Sequence, residues 1–214
     1  HRTGVPAAQV AISFADVEAG AIRIAAPALE AHQHGLVDDL FSMPYLTRFP
    51  TSLDPSPFPA TVRVREHADA SQPSLPDWWQ GRSGPLVYVT FGTVLGYMAA
   101  ADKVFRTALD AMAGIGARVL LTVGRSFDVT RLGPLPDHIH VEAWVDHERV
   151  LTQADVVVCH AGSGTTLAAL AAGVPLVTLP LFADQFENSR RIAGAGAARC
   201  VDGRVTWISL LDDV

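Results

Sequence analysis

The stretch VVVCHAGSGTT, residues 156–166, passes without a spacer from four apolar residues into a histidine, two glycines and three hydroxyls. Val156 to Cys159 show no alternation of apolar and polar, the pattern of a strand covered on both faces. TTLAALAAG, residues 165–173, then reads as a helix that ends at Gly173. A strand-to-helix junction made of small residues is where α/β proteins hold anions. The first N–H groups of a helix have no backbone partner, and the helix dipole favours negative charge there.

Working outward from that junction, the chain after Pro85 becomes regular. PLVYVTF, ARVLLTVG, HVEAW, DVVVCHA, PLVTLPL and ARCVD read as strands. AADKVFRTALDAMAGIG, HERVLTQA, TTLAALAAG and DQFENSRRIAGAG read as the helices between them. Alternating βα units with apolar strands predict an α/β fold: a Rossmann-like parallel sheet covered by helices on both faces. Ligands on such sheets bind at the carboxyl ends of the strands. Four of those ends carry Gly92-Thr93, Trp144, His160 and Asp184-Gln185.

The first half has another texture. HRTGVPAAQVAIS predicts a turn entering a buried strand, and Asp16 to about Leu40 carries helical spacing. More than half of the fourteen prolines lie from Pro44 to Pro85, in a surface-crossing linker that contains one short strand, TVRVRE. At the other end, Thr206 in TWISLLDDV resembles an N-cap. There is no internal repeat.

A net charge of −6 and a pI near 5.7 leave no basic footprint for nucleic acid, so a phosphate ligand must be held locally. Two cysteines, Cys159 and Cys200, make no disulfide framework; both read as buried thiols in a reducing cytoplasm. The weakly polar run 161–183 is no membrane span, because Gly173-Val174-Pro175 interrupts it.

HAGSGTT lacks the lysine of a P-loop. It also fails the G-x-G-x-x-G dinucleotide pattern at Leu167, and it falls several units after the first βα unit, where that pattern belongs. Taken alone, His160 suits a structural histidine, Trp144 a core residue, and Asp184-Gln185 a helix N-terminus. Their order together favours a common site. Asp16-Val17-Glu18 and Asp146-His147-Glu148 read as surface charge, and His32, His34, His67, His138 and His140 as surface or loop residues.

Trp144, His160, Gly162, Gly164, Thr165, Gly173-Val174-Pro175, Pro180, Asp184-Gln185 and Asn188 stand in the order and spacing of a known signature. The segment resembles the donor-nucleotide motif of the UDP-glycosyltransferase superfamily with the GT-B fold, in the texture of bacterial enzymes that glycosylate antibiotics and other natural products. The resemblance implies a glycosyltransferase that moves a sugar, with inversion, from a nucleoside-diphosphate donor to a small-molecule hydroxyl. It implies no metal and no cofactor besides the donor as co-substrate, and this chain has no D-x-D. By the same resemblance the Trp144 indole stacks on the base while the main chain at Val145 reads its edge. His160, Ser163, Gly164, Thr165 and Thr93 hold the diphosphate, with Gly162 in the turn, and Asp184 and Gln185 meet the sugar hydroxyls.

Two departures refine that expectation. Ala168 stands where UDP-sugar users commonly carry a glutamate that grips both ribose hydroxyls, which favours a dTDP-deoxysugar donor; and His147 replaces a common glutamine. The G-H-x-x-P context of the family's general-base histidine is absent from this sequence. On the resemblance, residues 1–72 are the end of an N-terminal acceptor domain plus linker, and 73–214 a donor domain without its closing helices; the isolated piece is expected to be inactive. A non-catalytic nucleotide-sugar-binding module and a GT-B-fold nucleotide-sugar epimerase are the other readings. The sequence does not specify the oligomeric state.

Overall fold

The computed structural model describes residues 5–65 and 74–201, so Thr206 and His67 lie outside the described residues. The chain divides into two compact units, residues 1–67 and 68–214.

In the first unit, strands β1 (Gln9–Val10), β2 (Tyr45–Thr47) and β3 (Thr61–Arg63) form a parallel sheet in the order β1-β2-β3, accompanied by helices α1 (Ala15–His32) and α2 (Leu36–Ser42). Its core is Ala15, Ala19, Tyr45 and Phe58, with the Tyr45 and Phe58 rings stacked at 4.2 Å. Phe14 cannot cap α1, so the carboxylate of Asp54 accepts the Ala15 N–H at 3.0 Å from 39 residues away. The buried strand expected near the start is instead a two-residue edge strand with Val10 70% exposed, because β1 pairs on one side only.

The second unit carries the regular βα pattern. Strands β4 (Leu86–Thr90), β5 (Arg118–Thr122), β6 (Ile139–Glu142), β7 (Val156–Cys159), β8 (Leu176–Thr178) and β9 (Ala198–Cys200) make one parallel sheet in the order β6-β5-β4-β7-β8-β9. Helices α3 (Ala101–Met112), α4 (His147–Leu151), α5 (Ser163–Ala172) and α6 (Gln185–Gly194) alternate with them. The chain winds outward from β4 in one direction and from β7 in the other, so a topological switch point lies between these two strands.

Cores on the two faces explain why the strands read as unbroken apolar runs. Val89, Phe105 and Leu121 belong to one, and Tyr88, Leu120, Val157 and Ile192 to the other. α5 ends where Gly173 turns left-handed at φ 71°, and the following Val-Pro leads into β8.

Two expectations change at the sheet margins. Cys159 is buried, but Cys200 is exposed because β9 is an edge strand. His138 and His140 are not idle loop histidines. His138 Nε2 lies 3.1 Å from the Met112 carbonyl, and His140, inside β6, stacks on Trp78 at 4.5 Å and meets Glu142 at 2.8 Å.

Phe105 is fully buried and packs edge-on against Phe127 at 4.8 Å. Phe105→Ala should therefore lower the unfolding free energy of this unit by about 3–5 kcal/mol, read as a fall in the urea midpoint.

Candidate functional site

Thr90 and Cys159 are in register as the last residues of β4 and β7, so the loops leaving those strands run side by side at the switch point. There the imidazole of His160 lies against two glycines. A Cβ on Gly92 would stand 2.8 Å from its Nε2, and one on Gly162 only 2.4 Å. Gly92 also has φ +75°, which alone disfavours a side chain. At Gly162, with φ −64° and ψ 142°, the ring itself is what demands glycine.

After His160 the chain turns through Ala161 at φ 62°, a left-handed conformation that costs an L-residue about 1–2 kcal/mol. Fully buried Asn188 holds that turn. Its Nδ2 donates to the Ala161 carbonyl at 2.9 Å, to Asp184 Oδ2 at 3.0 Å and to Ser163 Oγ at 3.3 Å, while Ser163 Oγ donates to Asp184 Oδ2 at 3.2 Å. The loop after β8 has the same device, with Ala183 at φ 55° just before Asp184. Ser163, Asp184, Asn188 and the Ala161 carbonyl thus form one connected group just after His160.

No side chain caps α5, whose N-cap is Gly162. The Thr166 N–H is the first to reach an acceptor in the helix, the Gly162 carbonyl at 3.0 Å. The N–H groups of Ser163, Gly164 and Thr165 precede it, at the positive end of the dipole. Burial pushes the His160 pKa down to about 4, against the opposing pull of Asp184 and of the main chain at Thr90. His160 Nδ1 is buried yet closes no hydrogen bond of proper geometry. At neutral pH the ring is therefore uncharged, with one nitrogen a donor and the other an acceptor.

A cavity of about 190 Å³ opens beside this group at the ends of β4, β5 and β6. Of the residues singled out in the sequence, Thr93, Trp144, Val145 and Thr165 wall it, and Gly92 joins it to the His160 seat. Its floor was not legible in the sequence. Tyr88 Oη lies 3.2 Å from Thr122 Oγ1 and 3.3 Å from His147 Nδ1. Burial raises the Tyr88 pKa and lowers that of His147, so both are neutral. The expected surface run Asp146-His147-Glu148 is thus corrected at its centre: Asp146 caps α4 through the Glu148 N–H at 3.1 Å, while His147 reaches into the cavity. The available signal was that the apolar strands β4 and β5 each end on a threonine, Thr90 and Thr122.

Gln185 is only 4% exposed, and its Oε1 accepts the Leu181 and Phe182 N–H groups at 2.8 and 3.0 Å. That oxygen shapes the β8–α6 loop, which leaves Nε2 as the part of the amide not engaged there. Gly164 is exposed on the first turn of α5. Among the described residues no group of three His, Cys, Asp or Glu is placed to hold a metal ion, and no helix is long and apolar enough to cross a membrane.

Residues 106–205 match the family model for the erythromycin biosynthesis protein CIII-like C-terminal domain. Over that stretch the chain resembles the C-terminal domain of this family. Elloramycin glycosyltransferase ElmGT of Streptomyces olivaceus is 42% identical over 129 residues, covering 59% of this chain and 33% of that protein. The glycotransferase of kitacinnamycin superposes with a TM-score of 0.71 at 23% identity, over 98% of this chain and 61% of that one. Spinosyn rhamnosyltransferase SpnG, solved with thymidine diphosphate, superposes with a TM-score of 0.57 at 27% identity, over 73% of this chain and 42% of that one. The chain spans about a third of the length of the curated bacterial relatives it matches.

His160 gives the site a pH signature. Its pKa in the fold, about 4, lies below the usual 6.5, so the unfolded chain binds the extra proton. Its contribution to stability is complete above about pH 6.5 and is lost as pH falls toward about 4, and His147 acts in the same direction. In urea titrations between pH 7.5 and pH 5, His160→Asn should make the acid-side loss shallower by about one proton.

Proposed function

We propose that the site binds the nucleoside diphosphate of an activated sugar, and that the parent protein is an inverting glycosyltransferase acting on a hydroxyl of a small-molecule natural product. The observation that carries this reading is the seat of His160, pressed between Gly92 and Gly162 at the switch point, next to the uncapped start of α5. Nothing bulkier than a hydrogen atom fits on either glycine while the ring stays there.

The chemistry follows from the leaving group. As the bond from the anomeric carbon to the phosphate oxygen breaks, negative charge grows on the diphosphate. Donors already aimed at it stabilise that charge without reorganising. A neutral His160 donates one hydrogen bond, and the N–H groups of Ser163, Gly164 and Thr165 add the field of α5. Thr93 and Thr165, on the wall of the cavity, bring hydroxyls to the same region. Trp144, 53% exposed, offers the base an indole face, with the Val145 main chain beside it. Asp184, braced by Ser163 and Asn188, and the Gln185 amide would meet the sugar hydroxyls.

The donor we favour is a dTDP-deoxysugar. Ala168, on α5, packs against the core cluster of Tyr88, Leu120, Val157 and Ile192 and presents only a methyl group, so no carboxylate stands there to pair with a ribose 2′-hydroxyl. A nucleotide lacking that hydroxyl gives up least. The 27% identical neighbour SpnG was solved with thymidine diphosphate, which agrees with this choice. Deprotonation of the acceptor is assigned to a base outside these residues.

Calorimetric titration of the chain with dTDP and with UDP tests the reading. dTDP should bind more tightly than UDP, and His160→Ala should weaken dTDP by about ten- to a hundredfold, the worth of a hydrogen bond to a charged group. Preference for UDP would overturn the deoxysugar donor, and unchanged binding in the mutant would overturn the role of His160. Gly162→Ala should lower the affinity comparably while leaving the cooperative urea transition in place, because its backbone angles accept alanine and only the imidazole must move.

A further inference from the structure

Arg125 belongs to neither the signature nor the cavity wall, yet its guanidinium carbon sits 4.8 Å above the centroid of the Trp144 ring. The turn that carries it is firmly placed. A Cβ added to Gly124, at φ +84°, would stand 3.7–4.0 Å from main-chain atoms of Thr93 and Gly92, so this turn lies close to the one leaving β4. Val123 and Phe127 anchor the turn in the core on either side, and the Phe127 N–H returns to the Gly124 carbonyl at 3.3 Å. Because Thr122 and Glu142 are in register and the Val123 N–H bonds the Glu142 carbonyl at 3.1 Å, the loops after β5 and β6 leave the sheet together. That pairing holds Arg125 over the indole. The side chain is exposed and has no carboxylate partner among the described residues.

A cation resting on a half-exposed indole, at the rim of a cavity that has no cationic side chain in its wall, is a stacking platform with two plates. We infer that Arg125 is a further donor-binding residue, one that clamps the base against Trp144 so that the heterocycle lies between the indole and the guanidinium plane. This rests on the donor-site reading of Trp144. A flat base needs roughly 7 Å between the plates, twice a van der Waals contact. The guanidinium therefore lifts by about 2–3 Å as the base enters, a motion within reach of a flexible side chain on a fixed turn. Arginine suits the position because its plane stacks on π-faces as well as carrying charge, whereas a lysine ammonium is a strongly hydrated point charge. Bases are held between aromatic rings and guanidinium planes in the same way in single-stranded nucleic-acid sites.

The experiment is a calorimetric titration of the wild-type chain, Arg125→Ala and Arg125→Lys with dTDP and UDP at two salt concentrations. A base clamp predicts that R125A weakens both nucleotides by the same factor, about five- to thirtyfold, that R125K recovers little of it, and that the salt dependence of binding is unchanged. Substantial recovery in R125K with a reduced salt dependence in R125A would overturn the clamp and make Arg125 a phosphate contact. Tighter binding in R125A would make it a competitor for the indole face, and equal binding would leave it no role; both overturn the inference. Failure of the wild-type chain to bind either nucleotide would instead remove the donor-site reading, and the clamp with it.

Discussion

The contact between one imidazole and two glycines governs this site. His160 can occupy the switch point only because Gly92 and Gly162 have no side chains, and those glycines are placed there only because β4 and β7 are neighbours. Sheet order, loop conformation and site chemistry are therefore one constraint seen at three scales. Disturb the β4–β7 pairing and the ring loses its seat; enlarge either glycine and the ring must leave a seat that still exists.

Holding that ring requires strain nearby. Ala161 and Ala183 both adopt left-handed backbone without being glycine, one just after His160 and one just before Asp184. A single buried amide, that of Asn188, answers the first directly and reaches the residue next to the second. Its Oδ1 is buried as well and meets no hydrogen-bond donor among the described residues. Such losses are tolerated at functional sites when the surrounding fold over-determines the geometry, and here the two core clusters on either face of the sheet supply that stability.

The sequence was most informative where the physics is local. Continuous apolar runs marked β4, β5 and β7, Gly173-Val174-Pro175 marked the end of α5, and small residues after β7 marked the tight turn into α5. What stayed hidden depends on which strands become neighbours. Tyr88, Thr122 and His147 lie 25 or more positions apart, and only the order β6-β5-β4 brings their polar atoms together. The same holds for Arg125 and Trp144, which leave adjacent strands. Periodicity assigns a residue to an element and a face, but it does not number the strands across a sheet. Edge effects escaped for a related reason: Val10 and Cys200 are apolar or nearly so and read as core, until the sheet runs out beside them.

The charge state of the site follows from the same burial that shapes it. His160 and His147 are both held neutral by desolvation, and Tyr88 is held neutral too, so the wall of the cavity offers donors and acceptors without fixed positive charge. In a chain of net charge −6, that arrangement gives a dianionic ligand no long-range attraction. Selectivity must then come from short-range geometry: pre-aimed N–H groups, one imidazole donor and a flat apolar face. A site of this kind discriminates by shape and hydrogen bonding rather than by a ring of fixed cations. Arg125 fits the same logic, because its charge is spent on an indole face at the rim rather than placed inside the cavity.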